Sequence, residues 1–215
     1  GYGEAAAEPL AELVARKPQH YQHRAQLAAA LAMADRRHEA IDVLAEAQRI
    51  LAAAGERSAD FDFRMAEQYA ALGDTAAADS LIAGHLSSER LNDDDALRLV
   101  RVLAALGRAD EALRRLADVP EPGAAWAGAT WHRTRGRALE AAGQSDAARA
   151  AYGEAVAADP YDAWARLDLI ALLVQAGDDE AARAAVAEAD ALALSLGPDF
   201  SRIANSSLTP NPGFR

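Results

Sequence analysis

The 215-residue chain contains no cysteine, few aromatic residues and fewer basic than acidic side chains. Without cysteine it can form neither a disulfide bond nor a thiolate nucleophile. Only 6% of the residues are aromatic although 51% are hydrophobic, and alanine supplies much of the hydrophobic fraction. Because alanine is small and favours helices, this composition indicates an all-helical protein whose helices pack closely.

Basic residues are too few for a general nucleic-acid-binding surface. The chain has 33 acidic residues but only 22 lysines and arginines, so its formal net charge is −11. Binding to a polyanion requires a basic face that releases counterions. No hydrophobic run approaches the roughly 18 to 20 residues of a membrane-spanning helix. We therefore expect no nucleic-acid partner and no membrane insertion by this region.

Recognisable catalytic motifs are also missing, among them metal-binding histidine pairs, phosphate-binding glycine loops and a nucleophile elbow. His20 and His23 lie near Pro18 without an acidic cluster beside them, and are better explained as solvated loop histidines. The run 93–95 of three aspartates suits the first turn of a helix better than a calcium loop. The sequence thus predicts no enzyme, no cofactor and no metal site.

Glycine recurs at a nearly constant interval. Gly73, Gly107, Gly143 and Gly177 are separated by 34, 36 and 34 residues, and Asp35 stands 38 residues before the first of them. Five residues after each of these positions comes an alanine: Ala40, Ala78, Ala112, Ala148 and Ala182. The larger hydrophobic residues on both sides recur at helical spacings of three, four and seven. Each interval therefore predicts a helix, a tight turn and a second helix.

The stretch from 136 to 160 resembles the tetratricopeptide repeat family. It carries the small residue, turn glycine, alanine, aromatic residue, second alanine and closing proline of that family: Gly136, Gly143, Ala148, Tyr152, Ala155 and Pro160. The resemblance implies an all-α fold, a right-handed superhelical solenoid of antiparallel helix pairs.

Three segments follow from the repeat pattern. Residues 1–20 predict one partial N-terminal repeat helix, and residues 197–215 predict an extended or disordered tail. Between them, residues 21–196 predict five helix pairs that start near Tyr21, Ala59, Asp93, Ala129 and Ala163. We expect a leader or further segment before Gly1. The alanine-rich composition resembles bacterial proteins, for which the envelope, the periplasm and the cytoplasm are the expected compartments.

The resemblance implies that the first helix of each pair lines a concave groove. The helical period places eight candidate partner-binding residues on these helices: Phe63, Arg64, Leu97, Arg98, Arg101, Arg133, Arg137 and Trp164. Arginine side chains suit carboxylates, so we expect an acidic or C-terminal peptide segment as the ligand. In the alternative interpretation, the arginines pair with acidic residues of neighbouring helices, namely Glu67, Glu140 and Asp168.

These observations predict a non-catalytic protein–protein interaction scaffold whose groove binds a partner segment. Two alternatives stay open. The first is a self-associating assembly protein, in which Trp126, Trp131 or the partial N-terminal repeat helix would contact a second copy to form a homo-oligomer. The second is an accessory domain of a longer enzyme.

Overall fold

The computed structural model describes residues 2–86, 91–122 and 125–192, and the tail predicted for residues 197–215 lies outside them. The described residues form eleven α-helices. In chain order they are α1 (Tyr2–Arg16), α2 (Tyr21–Met33), α3 (Arg37–Ala53), α4 (Ala59–Ala71), α5 (Thr75–Leu86), α6 (Asp93–Ala105), α7 (Ala109–Ala117), α8 (Ala125–Ala141), α9 (Ser145–Ala158), α10 (Ala163–Gln175) and α11 (Asp179–Ala191). None of these helices has the length and apolar character that crossing a membrane requires.

Helices α2 to α11 form consecutive pairs, in which each first helix packs against the second helix that follows it. Four of the five first helices begin at the residue that the repeat pattern indicates. The exception is α8, which begins at Ala125 rather than near Ala129. Ala129, where this helix was predicted to begin, is buried at 1% exposure. The all-α architecture of helix pairs is confirmed.

The chain divides into two compact units, and unit 1 ends at Val119. It contains α1 to α7, with α1 packed on α2 and with the first helices α4 and α6 side by side. Its core is made of leucine, phenylalanine and methionine side chains with alanines between them. The alanines after the three turns of this unit, Ala40, Ala78 and Ala112, are completely buried. Small residues at these sites let the helices approach closely.

Unit 2 begins at Pro120 and contains α8 to α11. Helix α8 packs along α9, and α10 contacts α8, α9 and α11. The alanines after its two turns, Ala148 and Ala182, are again buried, at 0% and 2% exposure. A bulky ring, Tyr152, is completely buried between α8 and α9 and fills the space that the alanines leave.

The turns between paired helices adopt the left-handed conformation that the recurring glycines predict. Gly73 has a φ of +80°, and Asp35, at the equivalent position of the first pair, has a φ of +59°. Asp35 is the non-glycine residue with positive φ in the described part of the chain. A side chain in this conformation costs free energy that glycine does not incur.

We therefore expect Asp35→Gly to raise the free energy of unfolding by roughly 0.5 to 1 kcal/mol, because it removes this backbone strain. The matched reverse change, Gly73→Asp, should lower it by a similar amount. Urea denaturation followed by circular dichroism measures both changes. If both substitutions changed the free energy of unfolding in the same direction, the assignment of Asp35 to the turn position would be wrong.

Candidate functional site

The three predicted arginines of unit 1 lie on two adjacent first helices. Arg64 belongs to α4, and Arg98 and Arg101 belong to α6, which packs beside it. Their side chains are 26%, 25% and 11% exposed, respectively. These three residues, here called the arginine strip of unit 1, are thus brought together as the 34-residue spacing of Arg64 and Arg98 predicts.

Each arginine of this strip contacts an acidic residue of its own unit. Arg64 Nε donates to Asp60 Oδ2 at 2.8 Å, and Arg101 Nε donates to Glu67 Oε1 at 2.9 Å. Arg98 Nε forms an ion pair with Asp60 Oδ1. The pairing of arginines with neighbouring helices, which the sequence left as an alternative, is therefore present, and it includes the expected Glu67.

Positive charge is crowded at Asp60, because Arg64 and Arg98 share this one carboxylate. Burial lowers the pKa of the Arg98 guanidinium, and the charge of Arg64 lowers it further. Burial raises the pKa of the Asp95 carboxyl. Two guanidinium groups that share one carboxylate can stabilise a further anion.

The prediction that Phe63 and Leu97 face outward is wrong. Phe63 is 0% exposed and Leu97 is 4% exposed. Phe63 packs against the ring of His85 on α5, with 4.8 Å between the ring centroids. A first helix of a stack is covered by helices on more than one side, so these two side chains belong to the core rather than to the surface.

In unit 2, Arg133 and Arg137 of α8 both reach Asp168 of α10. Arg137 holds it with two hydrogen bonds, from Nε to Oδ2 and from Nη2 to Oδ1, each 3.0 Å long. Arg133 Nε lies 3.2 Å from Asp168 Oδ2, and Arg133 Nη1 lies 3.8 Å from Asp162 Oδ2. Asp168 was named from the sequence as a partner of these arginines, and the structure confirms it. The Arg137 side chain stays 37% exposed.

Trp164 lies on the first turn of α10, four residues before Asp168 and therefore on the same face of the helix. Its backbone N–H donates to Asp162 Oδ1 at 2.9 Å, so Asp162 caps the helix. The Trp164 side chain is 43% exposed, and Tyr161 just before it is 68% exposed. An exposed indole beside paired charges is a common element of binding surfaces.

The sequence did not identify two of the acidic residues that pair with the arginines, and it predicted the wrong partner for a third. Asp60 is four residues before Arg64 on one helix, a spacing that would have revealed the pair. The contact between Asp162 and Arg133 joins different helices, and no local spacing indicates it. Glu140 was expected to pair with an arginine, but it accepts a hydrogen bond of 2.7 Å from the Tyr152 hydroxyl.

Within the described ranges, no group of three or more histidine, aspartate and glutamate side chains converges as a metal site requires. The remaining aromatic candidate of α8, Trp131, packs edge-on against His132 at 5.3 Å and lies 5.9 Å from the Arg135 guanidinium. The side chain of Trp126 lies outside the described part of the structure. Trp164 is therefore the tryptophan to which we assign a surface role.

Helix pairs joined by glycine turns and packed through buried alanines define an α-helical repeat protein. Residues 139–195, which run from the end of α8 through α11, match the family model of the tetratricopeptide repeat. This part of the chain therefore matches the tetratricopeptide repeat, and the resemblance predicted from the sequence is confirmed. A comparison with curated protein sequences gave no match.

Solved structures share this fold at low sequence identity. The crystal structure of the APC/C hetero-tetramer Cut9–Hcn1 is 16% identical, with a TM-score of 0.51 over 96% of this chain and 40% of that one. The Pseudomonas aeruginosa protein pilF is also 16% identical, with a TM-score of 0.52 over 87% of this chain and 88% of that one. This chain thus spans less than half of the first neighbour, and both similarities concern the fold.

Proposed function

We propose that the protein is a non-catalytic interaction scaffold that binds a segment of a partner protein on the first helices of its repeats. The repeat class supports this proposal, because stacked helix pairs leave the exposed faces of the first helices available to a ligand. The exposed Trp164 beside the ion pairs of Arg133 and Arg137 is the single observation that carries it.

The composition of this surface favours a ligand that combines a carboxylate with a large apolar side chain. The apolar group would cover the 43% of Trp164 that is exposed. The carboxylate would contact the exposed part of Arg137, whose planar guanidinium suits a second anion beside Asp168. An acidic or C-terminal peptide segment fulfils both conditions.

Intramolecular ion pairs do not block such a ligand. Arg137 is 37% exposed although it holds Asp168 with two hydrogen bonds, so a ligand carboxylate would bind at the exposed edge of the guanidinium without displacing Asp168. The arginine strip of unit 1 is a second candidate site with the same chemistry, because Asp60 forms ion pairs with two arginines there. Both candidate sites lie on first helices, one in unit 1 and the other in unit 2.

The test is a selection of 12-residue peptides from a random library on the immobilised protein, followed by measurement of each Kd. We expect the selected peptides to contain aspartate, glutamate or a free C-terminal carboxylate next to a large apolar residue. Trp164→Ala and Arg137→Ser should each weaken binding about 10- to 30-fold, since aromatic and arginine contacts dominate interfaces. Added salt should weaken it further.

Arg149→Ser is the matched control, because Arg149 is an exposed arginine of unit 2 that lies on a second helix and pairs with Asp178. It should leave the Kd unchanged within about twofold. Selection of neutral peptides, or equal losses in Arg137→Ser and Arg149→Ser, would overturn the proposal. A concentration-dependent dimer that Trp164→Ala abolishes would assign the surface to self-association instead.

A further inference from the structure

Two large hydrophobic side chains of unit 2 are exposed close together in the sequence. Tyr161 is 68% exposed and Trp164 is 43% exposed. Tyr161 lies in the loop that joins α9 to α10, and Trp164 lies on the first turn of α10. These two residues, here called the aromatic pair, therefore present two large apolar groups to solvent at the start of α10.

Hydrogen bonds fix the loop that carries the aromatic pair. The Asp159 carboxylate accepts from the Tyr161 backbone N–H at 2.9 Å, and the Asp159 carbonyl accepts from the Asp162 N–H at 3.1 Å. Arg166, which is only 5% exposed, donates from Nε to the Pro160 carbonyl at 2.8 Å. Because the backbone is already held in one conformation, a ligand that binds there loses little of its affinity to ordering the loop.

The chain leaves α11 beside the start of α10. Helices α10 and α11 pack against each other and are joined by the tight turn at Gly177, so they run in opposite directions. Arg166 Nη1, on the first turn of α10, lies 3.6 Å from Glu188 Oε2, on the last turn of α11. The residues that follow α11 therefore start at the end of unit 2 that carries the aromatic pair.

The sequence after α11 contains a ligand of the chemistry that this surface favours. Residues 193–215 lie outside the described structure, and within them Asp199 and Phe200 join a carboxylate to a large apolar side chain. Asp199 comes seven residues after Leu192, the last described residue, and seven residues span up to about 25 Å. That reach exceeds the length of the 13-residue helix α10, about 20 Å, so the first turn of α10 is accessible to Phe200.

We propose that the chain's own segment 198–203 docks on the aromatic pair, with Phe200 against Trp164 and Asp199 at the exposed edge of the Arg137 guanidinium. A short tether gives the segment an effective concentration of about 1 mM, far above that of a second copy at micromolar concentration. The segment thus competes with any partner and makes the surface autoinhibited. This inference rests on the proposed function, since it assigns an intramolecular ligand to the same surface.

Phe200→Ser in the full chain removes the apolar part of the tethered ligand and leaves the surface itself unchanged. The probe is a fluorescein-labelled peptide of residues 197–206, whose Kd is measured by fluorescence anisotropy. We expect a Kd on the order of 100 µM for Phe200→Ser and apparent binding about tenfold weaker for the unchanged chain, because a competitor at about 1 mM occupies roughly nine-tenths of the surface. Adding Trp164→Ala to Phe200→Ser should weaken binding at least about tenfold.

Phe214→Ser is the matched control, because it makes the same change further along the chain, at a phenylalanine without an acidic neighbour. It should leave the apparent Kd within about twofold of that of the unchanged chain. Equal Kd values for Phe200→Ser and the unchanged chain, equal effects of the two serine variants, or no binding of the peptide overturn the inference. A dimer that Phe200→Ser abolishes in sedimentation velocity also overturns it, since the segment then docks on a second copy. Circular dichroism verifies that every variant is folded.

The peptides selected from the random library separate this inference from the proposed function. If they bind through Trp164 with the same Kd in the unchanged chain and in Phe200→Ser, the tethered ligand is refuted while the scaffold stands. If none of them depends on Trp164 but the 197–206 peptide does, the proposed function fails, and the surface binds the chain's own segment.

Discussion

Replacing Asp62 with alanine lowers the free energy of unfolding by about 1 to 3 kcal/mol, the cost of leaving buried hydrogen-bonding groups without their partner. Asp62 is 0% exposed, and its carboxylate is the common acceptor of three other side chains. Gln48 Nε2 donates to it at 2.8 Å, Arg57 Nε donates at 3.0 Å, and His85 Nε2 lies 3.0 Å away. Removing the carboxylate leaves these groups from three different elements without their acceptor inside unit 1.

Urea denaturation followed by far-ultraviolet circular dichroism measures this loss. Asp79→Ala is the control, because Asp79 of α5 also forms an ion pair outside its own helix, with Arg108 at 2.8 Å, but at 52% exposure. Its loss should stay below about 1 kcal/mol. If both alanine variants were equally stable, the Asp62 cluster would not hold the α3, α4 and α5 helices together as the geometry indicates.

Replacing Tyr152 with alanine lowers the free energy of unfolding by about 3 to 5 kcal/mol, the typical cost of deleting a fully buried aromatic ring. The ring is 0% exposed. Burial and the hydrogen bond to Glu140 raise the pKa of its hydroxyl, which therefore stays protonated and donates. Tryptophan fluorescence measures the loss, since all three tryptophans follow Pro120 and report on unit 2. Tyr152→Phe should cost only about 1 to 2 kcal/mol, because it keeps the ring.

Gly136 provides an independent check on how tightly this ring packs. A Cβ atom at Gly136 would lie 2.4 Å from Tyr152 Cε1, closer than atoms approach in proteins. Gly136→Ala should therefore lower the free energy of unfolding by about 1 to 3 kcal/mol, although alanine favours helices. In the Tyr152→Ala background the same change should raise it by up to about 1 kcal/mol. If Gly136→Ala changed the free energy of unfolding equally in both backgrounds, the Tyr152 ring and Gly136 would not be in contact.

Much of the fold follows from the sequence because it depends on local interactions. The glycine interval and the alanine five residues later predict the turn and the tightest helix contact, and both depend on a few neighbouring residues. Asp35 illustrates this, since its position in the repeat alone assigned it to the turn, and its positive φ agrees. The start of α8, four residues before the predicted position, did not follow from the repeat pattern.

The candidate site was only partly predictable. The helical period placed Arg64, Arg98 and Arg101 on neighbouring helices, where the structure has them. It could not decide that Phe63 and Leu97 are buried, because coverage by other helices depends on how the helices pack together. The roles of all eight candidates in partner binding stay predictions.

The sequence by itself determined that this chain is a series of helix pairs, where each pair turns and which small residues lie between its helices. A repeated pattern of propensity and side-chain volume is sufficient for that. Only the tertiary structure decided which carboxylate meets which arginine, as in the pairing of Asp168 with Arg133. These features depend on distances between residues about 30 positions apart, and such distances are set by the packing of helices rather than by any local preference.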